Sequence, residues 1–156
     1  MNTPPSRIVE SYAGFRPKEL PAVFGLLSPR VENVHADKLH WGGCYRGYEG
    51  ARRFFGQFGA DINSTLAIDR LIVFGDGVVA AGWTEGTVKA TGTAYRVQVA
   101  DLWRIMDGRV TRAQFFVDHP RMRSALEVSD RRGRKANLTN EYHNREEMKH
   151  SYECSN

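Results

Sequence analysis

The hydrophobic positions change their period part-way along the chain, from helical spacing to strand-like alternation. In the first part, apolar residues recur every three to four positions in three segments, which predicts helices. The first starts after a capping Ser6, the second covers Leu20–Leu27 and the third covers Tyr48–Phe58. In the second part, apolar and polar residues alternate, which predicts the strands Leu66–Phe74, Val78–Lys89, Tyr95–Met106 and Arg109–Asp118.

Turn residues join these strands into a meander. The pairs and triplets Gly75-Asp76-Gly77, Thr91-Gly92 and Asp107-Gly108 stand between the strands and are hairpin signals. One further strand is predicted earlier, over Arg30–His35. Three helices and one strand therefore precede a four-stranded meander. This order predicts an α+β fold with the helices gathered against one face of a bent antiparallel sheet.

A long segment, Ala36–Gly47, separates the early strand from the third helix. It carries His40, Trp41 and Tyr45, and it is longer than a simple connection requires. Long loops with aromatic residues often form pocket walls. The alternative is an ordered surface loop whose Trp41 fills a gap in the core.

Composition indicates one globular domain followed by a different kind of segment. The chain has 156 residues, of which 41% are apolar, and this suits a single core over residues 1–126. Residues 127–156 are rich in charge and follow no firm apolar pattern. We expect a charged tail there that is flexible or partly helical, with Glu141–His150 as the helical candidate.

Charge and cysteine content exclude several classes of protein. The net charge is +4, but only Arg131–Lys135 concentrates basic residues, so a nucleic-acid-binding protein is not expected. No apolar run is long enough to cross a membrane and no signal peptide opens the chain, so we expect a cytoplasmic protein. Cys44 and Cys154 are far apart and lack a CxxC spacing, which argues against structural zinc and a disulfide framework and favours reduced thiols.

No cofactor or metal is expected. His35, His40 and His119 do not form a ligand-like repeat, and neither a glycine-rich phosphate loop nor a dinucleotide fingerprint occurs. The chemistry has to come from the side chains themselves.

Two acids in apolar surroundings are the candidates for that chemistry. Asp101 shares a strand face with Val99, Trp103 and Ile105, so its neutral form is favoured and its pKa should rise. A neutral carboxyl can donate a hydrogen bond to a developing enolate oxygen. The alternative is that Asp101 forms a buried structural pair with an arginine.

Asp118 follows an apolar stretch at the end of the last predicted strand. A carboxylate there could remove a proton α to a carbonyl. The alternative is that Asp118 caps a turn over His119–Met122. A β-bulge in the last strand would also turn this side chain to the other face of the sheet.

Three segments give the chain a family resemblance. IVESY lies in the first helix, YRGYEGARRFF leads into the third, and VADLWRIMDGRVTRAQFFVD forms the closing hairpin. Together they resemble the SnoaL-like polyketide cyclase group of the nuclear transport factor 2-like superfamily, over residues 6–126. The resemblance implies a cone-shaped α+β barrel, in which a curved sheet wraps around N-terminal helices and encloses an apolar pocket. It also implies a homodimer, and activities that include cyclisation, isomerisation, dehydration and epoxide hydrolysis.

The resemblance also implies roles for individual residues. Asp101 lies in a run, DLWRI, similar to the strand that carries the oxyanion-binding acid of ketosteroid isomerases, and Tyr12 matches the position of their oxyanion tyrosine. Tyr12 as an ordinary core tyrosine is the alternative. Asn33 stands where those isomerases carry their basic aspartate, which argues against a steroid isomerase unless Glu32 or His35 substitutes. Asp118 resembles the acid–base aspartate that ends the last strand in SnoaL-type cyclases and limonene-epoxide hydrolases.

A further set of residues is expected to line the pocket and bind substrate. Trp83 and Glu85 share one strand face and could lie beside Asp101, although the Arg-x-Asp of epoxide hydrolases is missing there, which disfavours that activity. The whole predicted substrate-binding set is His35, Trp41, Trp83, Glu85, Trp103 and Phe116.

Two kinds of function follow from these residues. The first is a cofactor-independent acid–base enzyme, an isomerase or lyase of the polyketide cyclase kind, acting on a small apolar or aromatic carbonyl compound. In it Asp118 moves the proton, while Asp101 and Tyr12 stabilise the enolate oxygen. The second is a non-catalytic dimeric domain of the same fold that binds a small molecule or a partner.

Overall fold

The computed structural model describes residues 20–36 and 38–127, together with Pro5, Arg7 and Ile8. The predicted first helix, apart from these three helical residues, and the tail from residue 128 lie outside the described residues, so the predicted division at residue 126 stays a prediction. The elements are α1 (Leu20–Leu26), β1 (Leu27–His35), β2 (Gly43–Arg46), α2 (Gly47–Asp61), β3 (Ile62–Phe74), β4 (Gly77–Val88), β5 (Ala94–Met106), β6 (Arg109–Val117) and α3 (His119–Glu127).

The strands form one six-stranded sheet in the order β2-β1-β6-β5-β4-β3. All neighbours are antiparallel except β1 and β6, which run parallel. The prediction of a purely antiparallel sheet is therefore wrong at this pair. A hairpin forces antiparallel pairing, whereas β1 and β6 are connected through all the elements between them, and a crossover of that length permits a parallel pair.

Tight turns close the two hairpins that frame the meander, as predicted. β3 and β4 are joined by Gly75-Asp76, and β5 and β6 by Asp107-Gly108. Asp107 and Gly108 have φ of 50° and 71°, the left-handed conformation that a type I′ hairpin turn needs at both central positions. Arg104 donates to both carboxylate oxygens of Asp76, at 2.9 and 3.1 Å, and this ties the two turns together.

The sheet curves where the strand register shifts and where glycine removes a side chain. The β3–β4 pairing shifts between Ile68 and Arg70, which marks a β-bulge that bends the strand. On β4, a methyl group at Gly86 would lie 1.8 Å from the Asn63 carbonyl oxygen, and one at Gly82 would lie 2.0 Å from the Ala67 carbonyl oxygen. The backbones of β3 and β4 therefore approach too closely for any other residue at these two positions.

The helix α2 packs its apolar side into the concave face of this sheet. Ala51 and Phe54 are buried, Phe55 and Phe58 are half-buried, and Arg52 on the opposite side is exposed. This is the amphipathic pattern expected of a surface helix. The largest fully buried side chain among the described residues is Trp103 of β5, in a core cluster that also contains Ile8. Full burial of one aromatic side chain of this size contributes roughly 3 kcal/mol.

Element boundaries differ from the sequence prediction at four places. β1 starts at Leu27 rather than Arg30, with Pro29 in a stretch where the pairing to β6 is interrupted, so its missing N–H costs no ladder bond. The predicted loop contains the short strand β2. β3 starts at Ile62, directly at the end of α2. The segment after Asp118 is a helix of nine residues, α3, instead of a turn.

Cys44 of β2 is disulfide-bonded, so the expectation of reduced thiols is wrong for this residue. The chain contains one other cysteine, Cys154, which lies outside the described residues. Disulfides are typical of oxidising compartments, and the predicted cytoplasmic location therefore gains no support from this residue. In the described part of the chain, no helix combines the length and the apolar character that crossing a membrane requires.

The close approach of β3 and β4 gives a test of the curvature. Gly86→Ala should lower the free energy of unfolding by about 3 kcal/mol, because the added methyl group meets backbone that cannot move without breaking the strand pair. Gly56→Ala is the matched control. It lies on α2 with nothing within 4 Å of the new methyl group, and it should raise stability by about 0.5–1 kcal/mol. Urea unfolding of both variants measures the difference, and equal effects would contradict this account of the curvature.

Candidate functional site

A cavity of about 180 Å³ opens between α2 and the concave face of the sheet. It is lined mainly by apolar side chains from the helix, the strands β3, β5 and β6, and the loop before β2. Its aromatic lining consists of Trp41, Phe54, Phe55, Phe58 and Phe115, and Phe116 also borders it. Four residues with polar side chains also reach the lining: His35, Ser64, Thr84 and Asp101. An apolar cavity with a few polar groups has the composition of a small-molecule site.

Asp101 lies in the lining and is 3% exposed. Alternation along β5 points it inward together with Trp103 and Ile105, as predicted from the sequence. Burial raises the pKa of the Asp101 carboxyl well above its ordinary value, and a hydrogen bond from the Phe116 backbone opposes this in part. Among the described residues, no arginine or lysine forms a salt bridge with it. The alternative of a buried pair with an arginine is therefore not what the described residues show, and the neutral acid is favoured.

His35, at the end of β1, is held between two aromatic rings. Its imidazole stacks on Phe54 at a centroid distance of 3.8 Å and on Phe115 at 4.2 Å, with interplanar angles of 19° and 6°. Burial lowers the pKa of His35 from 6.5 to about 3, so the ring is neutral at physiological pH. Its Nε2 is buried and has no hydrogen-bond partner among the described residues.

Strand pairing sets these groups in one row across the sheet. His35 of β1 pairs with Phe115 of β6, and Phe115 pairs with Asp101 of β5. Adjacent strands are about 4.8 Å apart, so the backbones of His35 and Asp101 are separated by about 10 Å, with the Phe115 ring between them. The cavity thus has one neutral hydrogen-bonding group on each side of the Phe115 ring, which forms its aromatic floor.

The remaining polar groups of the lining bond to each other. The hydroxyls of Ser64 on β3 and Thr84 on β4 lie 2.6 Å apart. The Tyr95 hydroxyl also hydrogen-bonds to both. Each of the two hydroxyls therefore has polar partners within the sheet, unlike Nε2 of His35.

The loop before β2 forms one wall and is tied to α2. The Tyr45 hydroxyl lies 2.9 Å from the Trp41 carbonyl oxygen and 2.6 Å from Oε1 of Gln57. The Trp41 ring meets Phe58 edge to face at 5.3 Å, and it lines the cavity. The segment therefore acts as a pocket wall, as predicted, and its position depends on Tyr45.

Trp83 and Glu85 do not line the cavity, so the prediction that they lie beside Asp101 is wrong. On β4 the inward residue at this level is Thr84, and its neighbours Trp83 and Glu85 point to the outer face. There Arg96 bonds to Glu85 at 3.2 Å and lies over the Trp83 ring at 3.9 Å. The two residues share a face, as expected, but it is the opposite face from Asp101.

Asp118 lies outside the cavity lining, at the start of α3. Its Oδ1 accepts a hydrogen bond from the Arg121 backbone N–H at 3.2 Å, and its Oδ2 lies 3.4 Å from Arg121 Nε. This is the geometry of a helix N-cap, in which the side chain satisfies a free N–H of the first turn. The structure does not bring Asp118 together with Asp101, and the capping alternative describes its position.

Two other predicted residues border the site in a different way from that expected. Trp103 is 1% exposed and lies in the core, where its ring meets Phe115 edge to face at 5.5 Å, so it supports the floor without lining the cavity. Phe116 borders the cavity, but alternation turns its side chain outward and leaves it 37% exposed. Tyr12 lies outside the described residues.

Asn33 occupies β1 two residues before His35 and points to the same face. It is 1% exposed, and neither polar atom of its amide has a hydrogen-bond partner among the described residues. Over the described part of the chain, no three His, Cys, Asp or Glu side chains come together as a metal site.

Sequence reasoning missed the stacking partners Phe54 and Phe115 and the hydroxyl pair of Ser64 and Thr84. The spacing of Phe54 and Phe55 on the amphipathic helix indicated that one of them faces the sheet. No local signal connects Phe115 with His35, because they meet only through the β1–β6 pairing.

The family model for the SnoaL-like domain matches residues 8–113. The chain belongs to the SnoaL-like family. No curated protein has a sequence that matches it.

Solved structures of related proteins share the fold. An NTF2-like protein of unknown function from Burkholderia pseudomallei is 25% identical, over 78% of this chain and 95% of its own, with a TM-score of 0.72. TerC, crystallised with polyporic acid, is 28% identical over 80% of this chain and 99% of its own, with a TM-score of 0.73. A protein of ketosteroid isomerase-like fold from Catenulispora acidiphila, in complex with trimethylamine, is 23% identical over 73% and 85%, with a TM-score of 0.62, and shows the fold only. These findings confirm the predicted family and α+β fold class.

The stacked histidine gives a pH test of the site. The pKa of His35 is lower in the folded protein than in the unfolded chain, so the unfolded chain takes up a proton first as the pH falls. The contribution of His35 to the free energy of unfolding is therefore complete above pH 6.5 and decreases as the pH drops toward 3. His35→Phe keeps an aromatic ring in the stack and cannot take up a proton. When the pH is lowered from 7.5 to 4.5, the free energy of unfolding of the unmodified protein should therefore fall by about 3 kcal/mol more than that of the variant.

Urea unfolding at the two pH values measures this change. Parallel pH profiles for His35→Phe and the unmodified protein would show that the ring is not buried in its neutral form.

Proposed function

We propose that this SnoaL-like protein is a cofactor-independent enzyme of the polyketide cyclase or isomerase kind, which binds a small apolar carbonyl compound and promotes its enolisation. The observation that carries the proposal is Asp101, a buried acid with a raised pKa in the lining of an apolar cavity. In its neutral form Asp101 donates a hydrogen bond to the carbonyl oxygen. That bond strengthens as negative charge develops on the oxygen, and the low-dielectric cavity increases its effect.

The identity of the acid limits the choice of substrate. Enolisation breaks an α C–H bond, its electron pair forms the C=C bond of the enol, and the oxygen takes up the charge that Asp101 stabilises. Asp101 favours its neutral form and the pKa of His35 is about 3, so neither is a strong base at neutral pH. The site therefore suits a carbon acid that is acidic enough to release its α-proton to water, such as a compound with a second carbonyl or hydroxyl group nearby.

A binding function without turnover is the second candidate. A cavity without a strong base suits binding better than proton removal. Burial favours the neutral form of both Asp101 and His35, and no other carboxylate lines the cavity in the described part of the chain. The base expected from the sequence, Asp118, caps α3 instead. In this case the cavity holds its ligand through the same two hydrogen-bonding groups.

We also propose that two copies of the chain associate through the outer face of the sheet. Pairing across the strands gives two apolar rows on this face, and their members are exposed or half-buried. The rows consist of Phe116, Ala100 and Ala81, and of Leu102, Val79 and Ile72. Contiguous apolar residues on an exposed sheet face are a feature of interaction sites. The homodimer supplies a partner for it.

The enzyme proposal predicts that Asp101→Asn slows enolisation. The amide is a weaker donor than a carboxylic acid, so exchange of α-protons for deuterium in a panel of ketones should fall on the order of 10²-fold. Proton NMR in D₂O measures the exchange. Asp69→Asn, the same change at an exposed position on β3, should leave the rate unaltered. If no ketone exchanges faster with the unmodified protein than in buffer, the enzyme proposal fails and the binding function takes its place.

The dimer proposal predicts that a charge on the outer face separates the copies. Leu102→Arg should convert a dimer to a monomer, because the guanidinium cannot be buried in an apolar interface without a partner. Light scattering after size-exclusion chromatography gives the mass. Ala60→Arg, on the exposed side of α2, should stay dimeric. A monomeric unmodified protein at micromolar concentration would rule out this interface.

A further inference from the structure

We infer that the cavity takes a planar, uncharged, single-ring compound with oxygen substituents on opposite sides of the ring, one bound by Asp101 and the other by His35. This inference rests on the proposed function for the carbonyl group at Asp101, and it adds the size, charge and second contact of the ligand. Four features of the described cavity support it.

The first feature is volume. The cavity of about 180 Å³ is only slightly larger than an engineered protein cavity of about 150 Å³ that binds benzene. Pockets for drug-sized ligands start at about 300 Å³. One ring with a few substituents fills this space, whereas a fused system of several rings exceeds it.

The second feature is charge. No lysine or arginine is among the described residues that line the cavity, so an anionic ligand would meet no counter-charge from them in an apolar site. A cation would meet Asp101 and His35, and burial favours the neutral form of both. An uncharged ligand avoids the cost of moving a charge out of water.

The third feature is shape. His35, Phe54 and Phe115 have nearly parallel ring planes, with 15° between the two phenyl rings. Phe54 and Phe115 cover the faces of His35, so a flat ligand stacks offset on one of these two phenyl rings, which line the cavity, rather than on the imidazole. A planar ring therefore matches the walls better than a puckered or branched aliphatic compound.

The fourth feature is the position of the polar groups. Among the described residues of the lining, the Ser64 and Thr84 hydroxyls bond to each other and to the Tyr95 hydroxyl, whereas Nε2 of His35 has no partner and Asp101 forms no salt bridge. They flank Phe115 in one row, and the concave curvature of the sheet brings their side chains nearer than the backbone separation of about 10 Å. A ring with oxygens on opposite carbons spans roughly 5–6 Å, and hydrogen bonds of about 2.8 Å at each end let it reach two groups up to roughly 11 Å apart. A single ring is therefore long enough to contact Asp101 and His35 on the two sides of Phe115.

Calorimetric titration with four probes tests the inference. The probes are 4′-hydroxyacetophenone, which has both oxygens, acetophenone, which lacks the hydroxyl, 4-hydroxybenzoate, which is charged, and 6-acetyl-2-naphthol, which has two rings. We expect 4′-hydroxyacetophenone to bind about tenfold more tightly than acetophenone, the difference that one hydrogen bond makes, and more tightly than the other two. His35→Phe should remove this advantage and leave the affinity for acetophenone unchanged.

The outcomes separate the ligand class from the enzyme proposal. Equal affinity for the probes with one and two oxygens, or tighter binding of the naphthol or the benzoate, overturns the inference. Deuterium exchange at the central carbon of a panel of 1,3-diketones, whose second carbonyl acidifies the α-proton, is followed in parallel. Tight binding of 4′-hydroxyacetophenone without accelerated exchange of any diketone supports the ligand class and overturns the enzyme, whereas accelerated exchange of a diketone without selective binding of 4′-hydroxyacetophenone overturns the ligand class only.

Discussion

The parallel pairing of β1 with β6 is the constraint on which the site depends. It places the first described strand beside the last one, and in doing so it sets His35 against Phe115 and one strand away from Asp101. If β1 were paired one residue out of register, His35 would point to the outer face and the row would be lost. Ion pairs on the outer face stabilise the same register. Glu32 of β1 pairs with Arg112 of β6 at 2.6 Å and with Arg46 of β2 at 3.3 Å.

Burial of two ionisable groups in this row shifts their pKa values in opposite directions. The cavity disfavours the carboxylate of Asp101 and the imidazolium of His35 for the same reason, which is the loss of water around the charged form. Both groups therefore act as neutral hydrogen-bonding partners. A site of this kind recognises oxygen atoms by direction and distance, and it stabilises charge only when charge develops on the bound molecule.

Most of the fold could be predicted from the sequence, because periodicity and turn residues are local signals. The helix α2, the strands β4 to β6 and the Asp107-Gly108 turn were all visible in this way. The inward direction of Asp101 also followed from alternation, since its companions Trp103 and Ile105 are strongly apolar. The family followed from three short segments whose order and spacing match.

The rest could not be predicted for identifiable physical reasons. On β4 both alternating sets contain apolar residues, so alternation did not show whether Trp83 or Thr84 faces inward. The sequence after Asp118 has few apolar residues, and a short polar helix gives a weak periodic signal. The stacking of His35 on Phe115 depends on residues 80 positions apart, and such contacts leave no trace in local spacing.

The same separation has a consequence for how the protein folds. The hairpins of the meander bring together residues that are close in the sequence, and such contacts form early because closing a short loop loses little chain entropy. The ion pair between Glu32 and Arg112 closes a loop of 80 residues. The strand that supplies His35 therefore closes one of the longest loops in the described fold, and the row of His35, Phe115 and Asp101 exists only once β1 has joined the meander.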